Sequence, residues 1–247
     1  MRSPTDSASI SLNTFVEDLE ALRLELGVEK MTLLTHSMGA VVAYAYTEKY
    51  AEHVENLVLT APVFPFAPGA APDLALLQAL DLPYQDEQYI ASLQQIYREK
   101  NESAELKAQK TLKEFGLAGE VKSSRDKTIK WRIQFAAANL FYPEKWPQMQ
   151  GGKIFYSPDV HKNMLSNAGG YERWVVQWQG FYPALQKFQG KLTFIVGKYD
   201  YIDPKMMFWP LLQRKLPHAN LVVIDNAVHS IWIDQPESFS TAIRNSW

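Results

Sequence analysis

Ser37 is the residue of this chain whose surroundings most clearly indicate nucleophilic chemistry. The stretch THSMG, residues 35–39, joins a short apolar run at 31–35 to a helical pattern that begins at Gly39. A serine in a sharp strand-to-helix turn is exposed for attack, and the helix N-terminus favours the negative charge that develops beside it. Thr35 replaces the first glycine of the usual G-x-S-x-G pattern, so we expect a crowded turn.

A serine hydroxyl needs a general base, and the base needs an acid that orients it. His229 follows the last apolar run of the chain, and Asp200 follows the run before it, in the stretch FIVGKYDYIDP. Both positions lie at the carboxyl ends of predicted parallel strands, which is where the active sites of such sheets form. The sequence therefore predicts a triad of Ser37, His229 and Asp200.

Other acidic residues compete for the role of Asp200. Asp203 is the main alternative, because it follows in the same turn. Asp225 and Asp234 lie on either side of His229. We interpret Asp225 as a cap at a strand end and Asp234 as a surface loop residue.

The remaining histidines are weaker candidates for the base. His36 adjoins the nucleophile position, so we expect it to pack or to lie on the oxyanion side. His53 and His218 stand in polar connections before strands and are expected to be exposed. His161 lies in the middle of the chain, and we assign it no catalytic role.

The pattern of elements predicts an α/β fold. Helices are predicted over Phe15–Leu26 (with a Thr14/Glu17 capping box and Gly27 after its end), Gly39–Tyr50, Gln85–Lys100, Lys205–Leu216 and after Pro236. Strands are predicted over Met31–Thr35, Glu55–Val63, Lys191–Gly197 and Asn220–Asp225. Strands that are apolar on both faces and alternate with helices indicate a parallel sheet with helices on both faces.

The middle of the chain differs from its two ends. Residues 64–189 are rich in Gln, Lys, Glu, Trp and Tyr, and they lack convincing strand patterns. We predict that this segment is a helical insertion, and that residues 1–63 and 190–247 together form the α/β core.

Bulk composition excludes several classes of protein. The chain of 247 residues is 47% hydrophobic and 21% charged, carries a net charge of -2 and has no cysteine. Such a charge does not favour nucleic acid as a partner, and the missing thiols exclude disulfides and thiolate metal sites. No apolar run is long enough for a membrane span, and MRSPTDSASISLNTF lacks the apolar core of a signal peptide. We therefore expect a cytoplasmic protein by default.

These motifs resemble the α/β-hydrolase superfamily over essentially the whole chain. The similarity is greatest to proline iminopeptidase-like serine hydrolases, which carry a large helical cap, as residues 64–189 would here. The resemblance implies Ser37 as nucleophile, Asp200 as acid and His229 as base. It also implies the Met38 N–H as an oxyanion donor, and it implies no metal or organic cofactor.

The resemblance also implies several strands before the first predicted helix, Phe15–Leu26, whereas only fourteen residues precede it. We therefore expect an N-terminally truncated fold whose first strand is an exposed sheet edge, through which copies could associate. Neither His-Gly nor Gly-Gly-Gly occurs before Ser37. We accordingly expect the loop that donates the second oxyanion N–H to be missing.

The sequence supports one principal function and leaves alternatives open. We predict a serine hydrolase that cleaves a small amide or ester through an acyl-enzyme, with N-terminal prolyl peptides among the candidates. The alternatives are a non-catalytic remnant that acts as a binding module, and an esterase or carbon–carbon hydrolase of the same fold. Glu144, Asp159 and Glu172 could bind a substrate amine, but we interpret them as surface charges.

Overall fold

The part of the chain that the structure describes is centred on a four-stranded sheet with the strand order β1-β2-β3-β4. A computed structural model describes residues 11–63, 87–149, 181–203, 206 and 209–247. The strands are β1 (Met31–His36), β2 (Val54–Thr60), β3 (Lys191–Gly197) and β4 (Asn220–Ile224). Each neighbouring pair is parallel. The carboxyl ends of all four strands therefore meet at one edge of the sheet, where Ser37, Asp200 and His229 follow them.

The central strands β2 and β3 send alternate side chains into two separate cores, one on each face of the sheet. Leu57 and Leu59 enter the first core, whereas Val58 and Ile195 enter the second. The first core also takes apolar side chains from α1 (Leu12–Glu25), α2 (Gly39–Tyr50), α5 (Phe181–Lys187) and α6 (Trp209–Lys215). The second takes side chains from α7 (Ile231–Asp234) and α8 (Pro236–Arg244). This arrangement confirms a parallel sheet with helices on both faces.

Helix α1 begins earlier than the sequence pattern predicts. Ser11 is its N-cap, with φ -143°, and the Ser11 hydroxyl accepts the Thr14 N–H at 3.1 Å. The predicted capping box at Thr14 is therefore wrong, because Ser11 caps the helix and the extra turn buries Leu12 beside Val16 in the core. The predicted end is confirmed, since Gly27 has a φ of 64°, the left-handed conformation that terminates helices.

Two of the helices described between β2 and β3 build a third core, to which α7 adds one residue. They are α3 (Glu87–Glu114), which is longer than the predicted Gln85–Lys100 helix, and α4 (Ser124–Asn139), followed by a 3₁₀ helix at Pro143–Gln148. The buried residues of this core are Leu112, Ile133, Ala136, Leu140, Trp146 and, from α7, Ile233. No strand occurs in the described parts between β2 and β3. Residues 64–86 and 150–180 lie outside the described ranges, so the predicted insertion at 64–189 stays a prediction.

Strand β1 has β2 as its only partner within the described ranges. Leu34 of this strand is 50% exposed. Self-association through this edge stays a prediction. None of the helices in the described part of the chain has the length and apolar character that crossing a membrane requires.

Candidate active site

Ser37 lies in the turn between β1 and α2 with a strained backbone. Its φ is 53°, a left-handed conformation that costs energy in a residue other than glycine. The Ser37 N–H donates to the Thr60 carbonyl at 3.1 Å, and the Ser37 carbonyl accepts the Ala40 N–H at 3.0 Å. Strand β2 and helix α2 thus hold the turn from two sides. This is the strand–turn–helix geometry of a nucleophile elbow.

Thr35 fits beside this turn without a steric conflict at Gly39. A Cβ placed on Gly39 would lie 3.7 Å from the Thr35 Cβ, which is an ordinary van der Waals contact. The Thr35 carbonyl accepts the Thr60 hydroxyl at 2.6 Å. The Thr35 hydroxyl is buried and finds no hydrogen-bond partner in the described ranges. Threonine in place of glycine at position 35 therefore leaves one buried hydroxyl without a partner in the described ranges, but it does not block the turn.

The side chains of Ser37, His229 and Asp200 form one continuous hydrogen-bonded series. The Ser37 Oγ lies 2.8 Å from the His229 Nε2. The His229 Nδ1 lies 3.1 Å from Oδ2 and 3.2 Å from Oδ1 of Asp200. An ionised carboxylate only accepts hydrogen bonds, so Nδ1 carries the proton and Nε2 is left to accept the serine proton. Asp200 and His229 are 1% and 4% exposed, so little water competes for these bonds.

Asp203, the alternative acid, has a different partner. Its Oδ2 accepts the Trp209 N–H at 2.7 Å, at the start of α6. Asp200 instead accepts the Ile202 N–H at 3.0 Å in addition to the His229 Nδ1–H. The structure therefore brings Asp200, and not Asp203, to the histidine.

The interpretation of Asp234 as a surface residue is wrong. Asp234 is 2% exposed, and its carboxylate accepts the backbone N–H groups of Phe141, Tyr142 and Val228. Burial raises the pKa of the Asp234 carboxyl, and the three N–H donors offset part of this effect. Asp225, in contrast, is exposed at the end of β4 and pairs with the Lys198 Nζ at 2.6 Å.

The end of β3 and the loop that carries His229 approach each other closely at Gly197. A Cβ on Gly197 would lie 2.2 Å from the Val228 carbonyl oxygen and 2.6 Å from that of Ala227. The Tyr199 N–H donates to the Ala227 carbonyl at 3.0 Å. Only glycine fits at this position, because a side chain would push away the backbone next to His229.

His36 contacts the backbone of His229 rather than the hydroxyl of Ser37. Its Nε2 lies 3.0 Å from the His229 carbonyl oxygen, so Nε2 is the protonated nitrogen. Its ring also meets the Trp232 ring edge-on, with the centroids 4.7 Å apart. Burial lowers the pKa of His36 to about 4, and the neighbouring His229 adds to the shift. His36 is therefore neutral at pH 7, and it links the serine turn to the histidine loop.

The other residues weighed from the sequence lie away from this cluster. The ring nitrogens of His53 and His218 contact the carbonyls of Glu29 and Leu185. His218 is exposed as predicted, whereas His53 is half-buried. Glu144 is exposed. His161, Asp159 and Glu172 fall outside the described ranges.

Met38 directly precedes helix α2, which has 12 residues. No group in the described parts of the chain accepts its N–H. A backbone N–H at a helix N-terminus can stabilise a developing negative charge. Across the described ranges, no group of three or more His, Cys, Asp or Glu side chains is placed to hold a metal ion.

Sequence reasoning missed three residues of this region: Gly197, His36 as a link, and Asp234. A glycine at the end of an apolar strand signals a close backbone approach, so Gly197 could have been found. The contacts of His36 and Asp234 run to positions 193 and 93 residues away, and no local pattern announces them.

Comparisons with known proteins agree with the α/β fold described above. The chain matches the α/β-hydrolase fold family over residues 2–236. It is 41% identical over 71 residues to 1-acylglycerol-3-phosphate O-acyltransferase ABHD5 of Sus scrofa, a match that covers 28% of this chain and 20% of that protein. It is 40% identical over 56 residues to the (lyso)-N-acylphosphatidylethanolamine lipase of Bos taurus, covering 22% of this chain and 16% of that protein. The matched segments thus span a fifth or less of these relatives.

Among solved structures, the chain is similar to a proline iminopeptidase-related protein of Thermus thermophilus. The TM-score is 0.54 at 21% identity, and the match covers 100% of this chain and 74% of that one. At this identity the likeness shows the fold. The family match extends over most of the chain, and the sheet, the serine turn and the histidine loop occur in the order that this fold requires. The chain belongs to the α/β-hydrolase family.

Proposed function

We propose that this chain is a serine hydrolase in which Ser37 attacks the carbonyl carbon of a small ester or amide. The observation that carries the proposal is the 2.8 Å contact between the Ser37 Oγ and the His229 Nε2, made by a serine whose φ is 53°. A serine held in a strained turn, with its hydroxyl hydrogen-bonded to an oriented imidazole, has the arrangement needed for nucleophilic catalysis.

Acylation follows from the protonation states of the three side chains. The Ser37 Oγ forms a bond to the carbonyl carbon while its proton moves to the His229 Nε2. The ring then carries a positive charge, which the carboxylate of Asp200 stabilises from the Nδ1 side. The bond from the carbonyl carbon to the alcohol or amine breaks as the proton on Nε2 moves to that leaving group. An acyl ester of Ser37 remains.

Deacylation repeats these steps with water as the nucleophile. His229 takes a proton from the water, whose oxygen bonds to the acyl carbon, and returns that proton to the Ser37 Oγ as the ester bond breaks. A carboxylic acid leaves, and the enzyme is regenerated. In both halves the carbonyl oxygen becomes negatively charged, and the Met38 N–H at the start of α2 is the donor we assign to it.

Two classes of substrate fit this chemistry. The sequence resemblance to proline iminopeptidase-like enzymes favours an N-terminal prolyl amide. The names of the curated relatives, an acyltransferase and a lipase of acylated phospholipids, favour a fatty acyl ester or amide instead. Both classes present a carbonyl carbon to the same serine. We also propose that residues 64–189 form a cap, because α3 and α4 build a separate core.

Turnover of chromogenic substrates tests the proposal. Purified protein is assayed with p-nitrophenyl acetate, p-nitrophenyl octanoate and prolyl-p-nitroanilide, and compared with Ser37→Ala. Ser246→Ala is the matched control, because Ser246 is buried and donates its hydroxyl to the Ala242 carbonyl, in α8. We expect turnover of at least one substrate, lost in Ser37→Ala and kept in Ser246→Ala. Equal turnover by Ser37→Ala and wild type would overturn the proposal, and a folded wild type inert towards all three substrates would favour a non-catalytic binding module.

A further inference from the structure

Asp234 is a buried carboxylate that takes no part in the proposed triad. It ends the short helix α7, five positions after His229, and is 2% exposed. An ionised carboxylate in such a place is costly unless its oxygens are hydrogen-bonded. In the described ranges, every donor to the Asp234 carboxylate is a backbone N–H group. These hydrogen bonds therefore depend on the path of the backbone and not on the identity of the neighbouring side chains.

These donors come from two separate parts of the chain. The Asp234 Oδ1 accepts the N–H groups of Phe141 at 3.0 Å and Tyr142 at 3.3 Å. Its Oδ2 accepts the Phe141 N–H at 2.9 Å and the Val228 N–H at 3.0 Å. Phe141 and Tyr142 lie two and three residues after the end of α4 at Asn139, whereas Val228 is the neighbour of His229. One carboxylate therefore joins the end of α4 to the loop of the proposed base.

Three further hydrogen bonds support the same junction. The N–H of Ser230, the neighbour of His229 on its other side, donates to the Asn139 carbonyl at 2.9 Å. The Lys145 Nζ donates to the carbonyls of Ile233 at 3.1 Å and Asp234 at 3.0 Å. The backbone is thus fixed to the region around the end of α4 on both sides of His229.

We propose that Asp234 is a positioning residue: by tying Val228 to the end of α4, it keeps the His229 Nε2 within hydrogen-bonding distance of the Ser37 hydroxyl. This inference rests on the proposed function of His229 as the base. A displacement of about 1 Å at a catalytic group can lower a rate about 100-fold. The residues between β2 and β3 accordingly contribute to catalysis through this carboxylate, with no contact to the reacting atoms.

Asparagine is a near-isosteric replacement that cannot make all of these bonds. Both oxygens of Asp234 accept, and each faces at least one backbone N–H. In Asp234→Asn one of them becomes an NH₂ group, which donates and therefore opposes either the Val228 N–H or the Tyr142 N–H. Because the side-chain volume is nearly unchanged, the variant removes part of the side-chain hydrogen bonding at the junction without creating a large cavity.

Leu112→Ala is the matched control. Leu112 is 1% exposed in the core that also contains Ile233 of α7, so the truncation loosens the same region. It leaves the Asp234 carboxylate and its three donors in place. A general loss of stability would affect both variants, whereas the positioning role predicts a specific loss in Asp234→Asn.

The experiment combines amide exchange with labelling of Ser37 by a fluorophosphonate and with kcat and KM for a p-nitrophenyl ester. In Asp234→Asn we expect faster exchange at Val228 or at Phe141 and Tyr142, about 10- to 100-fold lower kcat and labelling rate, and little change in KM. Leu112→Ala should keep kcat within a few-fold. Native exchange at these amides in Asp234→Asn, or an unchanged labelling rate, would overturn the proposal, as would an equal loss of kcat in Leu112→Ala.

Failure of the proposed function gives a different result. A folded wild-type protein that is not labelled at Ser37 would contradict the role of His229 as a base, and the positioning role would fall with it. Labelling of the wild type together with unchanged labelling of Asp234→Asn would contradict the positioning role alone.

Discussion

The Nε2 of His36 lies 3.0 Å from the carbonyl oxygen of His229, so the residue before the proposed nucleophile donates a hydrogen bond to the backbone of the proposed base. The bond joins the turn after β1 to the loop after β4, two segments that the sheet alone does not connect. The bond requires a proton on Nε2, which both the neutral ring with Nε2–H and the charged ring carry. Burial of the ring lowers the pKa of His36 despite this bond, and that shift has a measurable consequence for stability.

Acid should destabilise the protein through His36. Its pKa is lowered from 6.5 to about 4 in the folded protein, so between these values the unfolded chain binds a proton that the folded chain does not. The free energy of unfolding therefore falls as the pH falls from about 6.5 to about 4, by at most ~3 kcal/mol. Urea unfolding at pH 7 and pH 4.5 measures this loss, and His36→Gln, which keeps an N–H donor, should lose less.

His218→Gln is the control for that comparison, because His218 is exposed and its ring contacts the Leu185 carbonyl rather than a residue of the site. It should retain the full pH dependence of the wild type. If His36→Gln and the wild type lose the same free energy between the two pH values, the assignment of this dependence to His36 is wrong.

Asp200→Asn should abolish most activity while leaving the fold intact. The new amide can donate to the His229 Nδ1, which moves the ring proton to Nε2 and leaves no acceptor for the serine proton. In a triad this change lowers kcat by about 10⁴-fold. The measurement is kcat for the best p-nitrophenyl ester.

Asp203→Asn distinguishes the two acids of this turn. The Asp203 carboxylate accepts the Trp209 N–H, and an amide oxygen can still do so. Activity should therefore be largely retained. An Asp203→Asn variant as impaired as Asp200→Asn would contradict the assignment of the acid.

Gly197→Ala should displace the histidine loop. The added Cβ would lie 2.2 Å from the Val228 carbonyl oxygen, and a backbone atom cannot move away as a flexible side chain can. We expect a loss of about 1–3 kcal/mol in the free energy of unfolding, together with lower kcat. Thermal and urea unfolding measure the first effect.

Gly119→Ala is the corresponding control. A Cβ on Gly119 meets nothing within 4 Å. Its stability should stay close to that of the wild type, because the substitution adds no steric conflict. Wild-type stability and turnover in Gly197→Ala would show that the close approach at this strand end is not required.

The sheet and the spacing of the three site residues were predictable from the sequence, since both depend on short-range patterns. Apolar runs between helical patterns locate β1 to β4, and the geometry of a parallel sheet brings the residues after those strands to one edge. This reasoning predicts that Ser37, Asp200 and His229 lie together. In the structure His229 lies 2.8 Å from the Ser37 Oγ and 3.1 Å from the Asp200 Oδ2.

The supporting contacts were not predictable, because they depend on where distant segments dock. Asp234 looks like a surface residue in its own neighbourhood. In the fold its carboxylate accepts the N–H groups of the distant Phe141 and Tyr142 together with that of Val228. The start of α1 was misplaced for a related reason. Leu12 belongs to the helix because it packs with Val16 in a core that the local pattern does not define.

The central claim is that Ser37 is an activated nucleophile, and covalent labelling tests it most directly. Folded wild-type protein is treated with a fluorophosphonate, and the modified residue is located by mass spectrometry of proteolytic peptides, with His229→Ala and heat-denatured protein as controls. We predict one adduct on Ser37 in the native wild type, formed far more slowly in His229→Ala and absent after denaturation. A folded wild-type protein that forms no adduct on Ser37, or one that labels equally well without His229, would contradict the account.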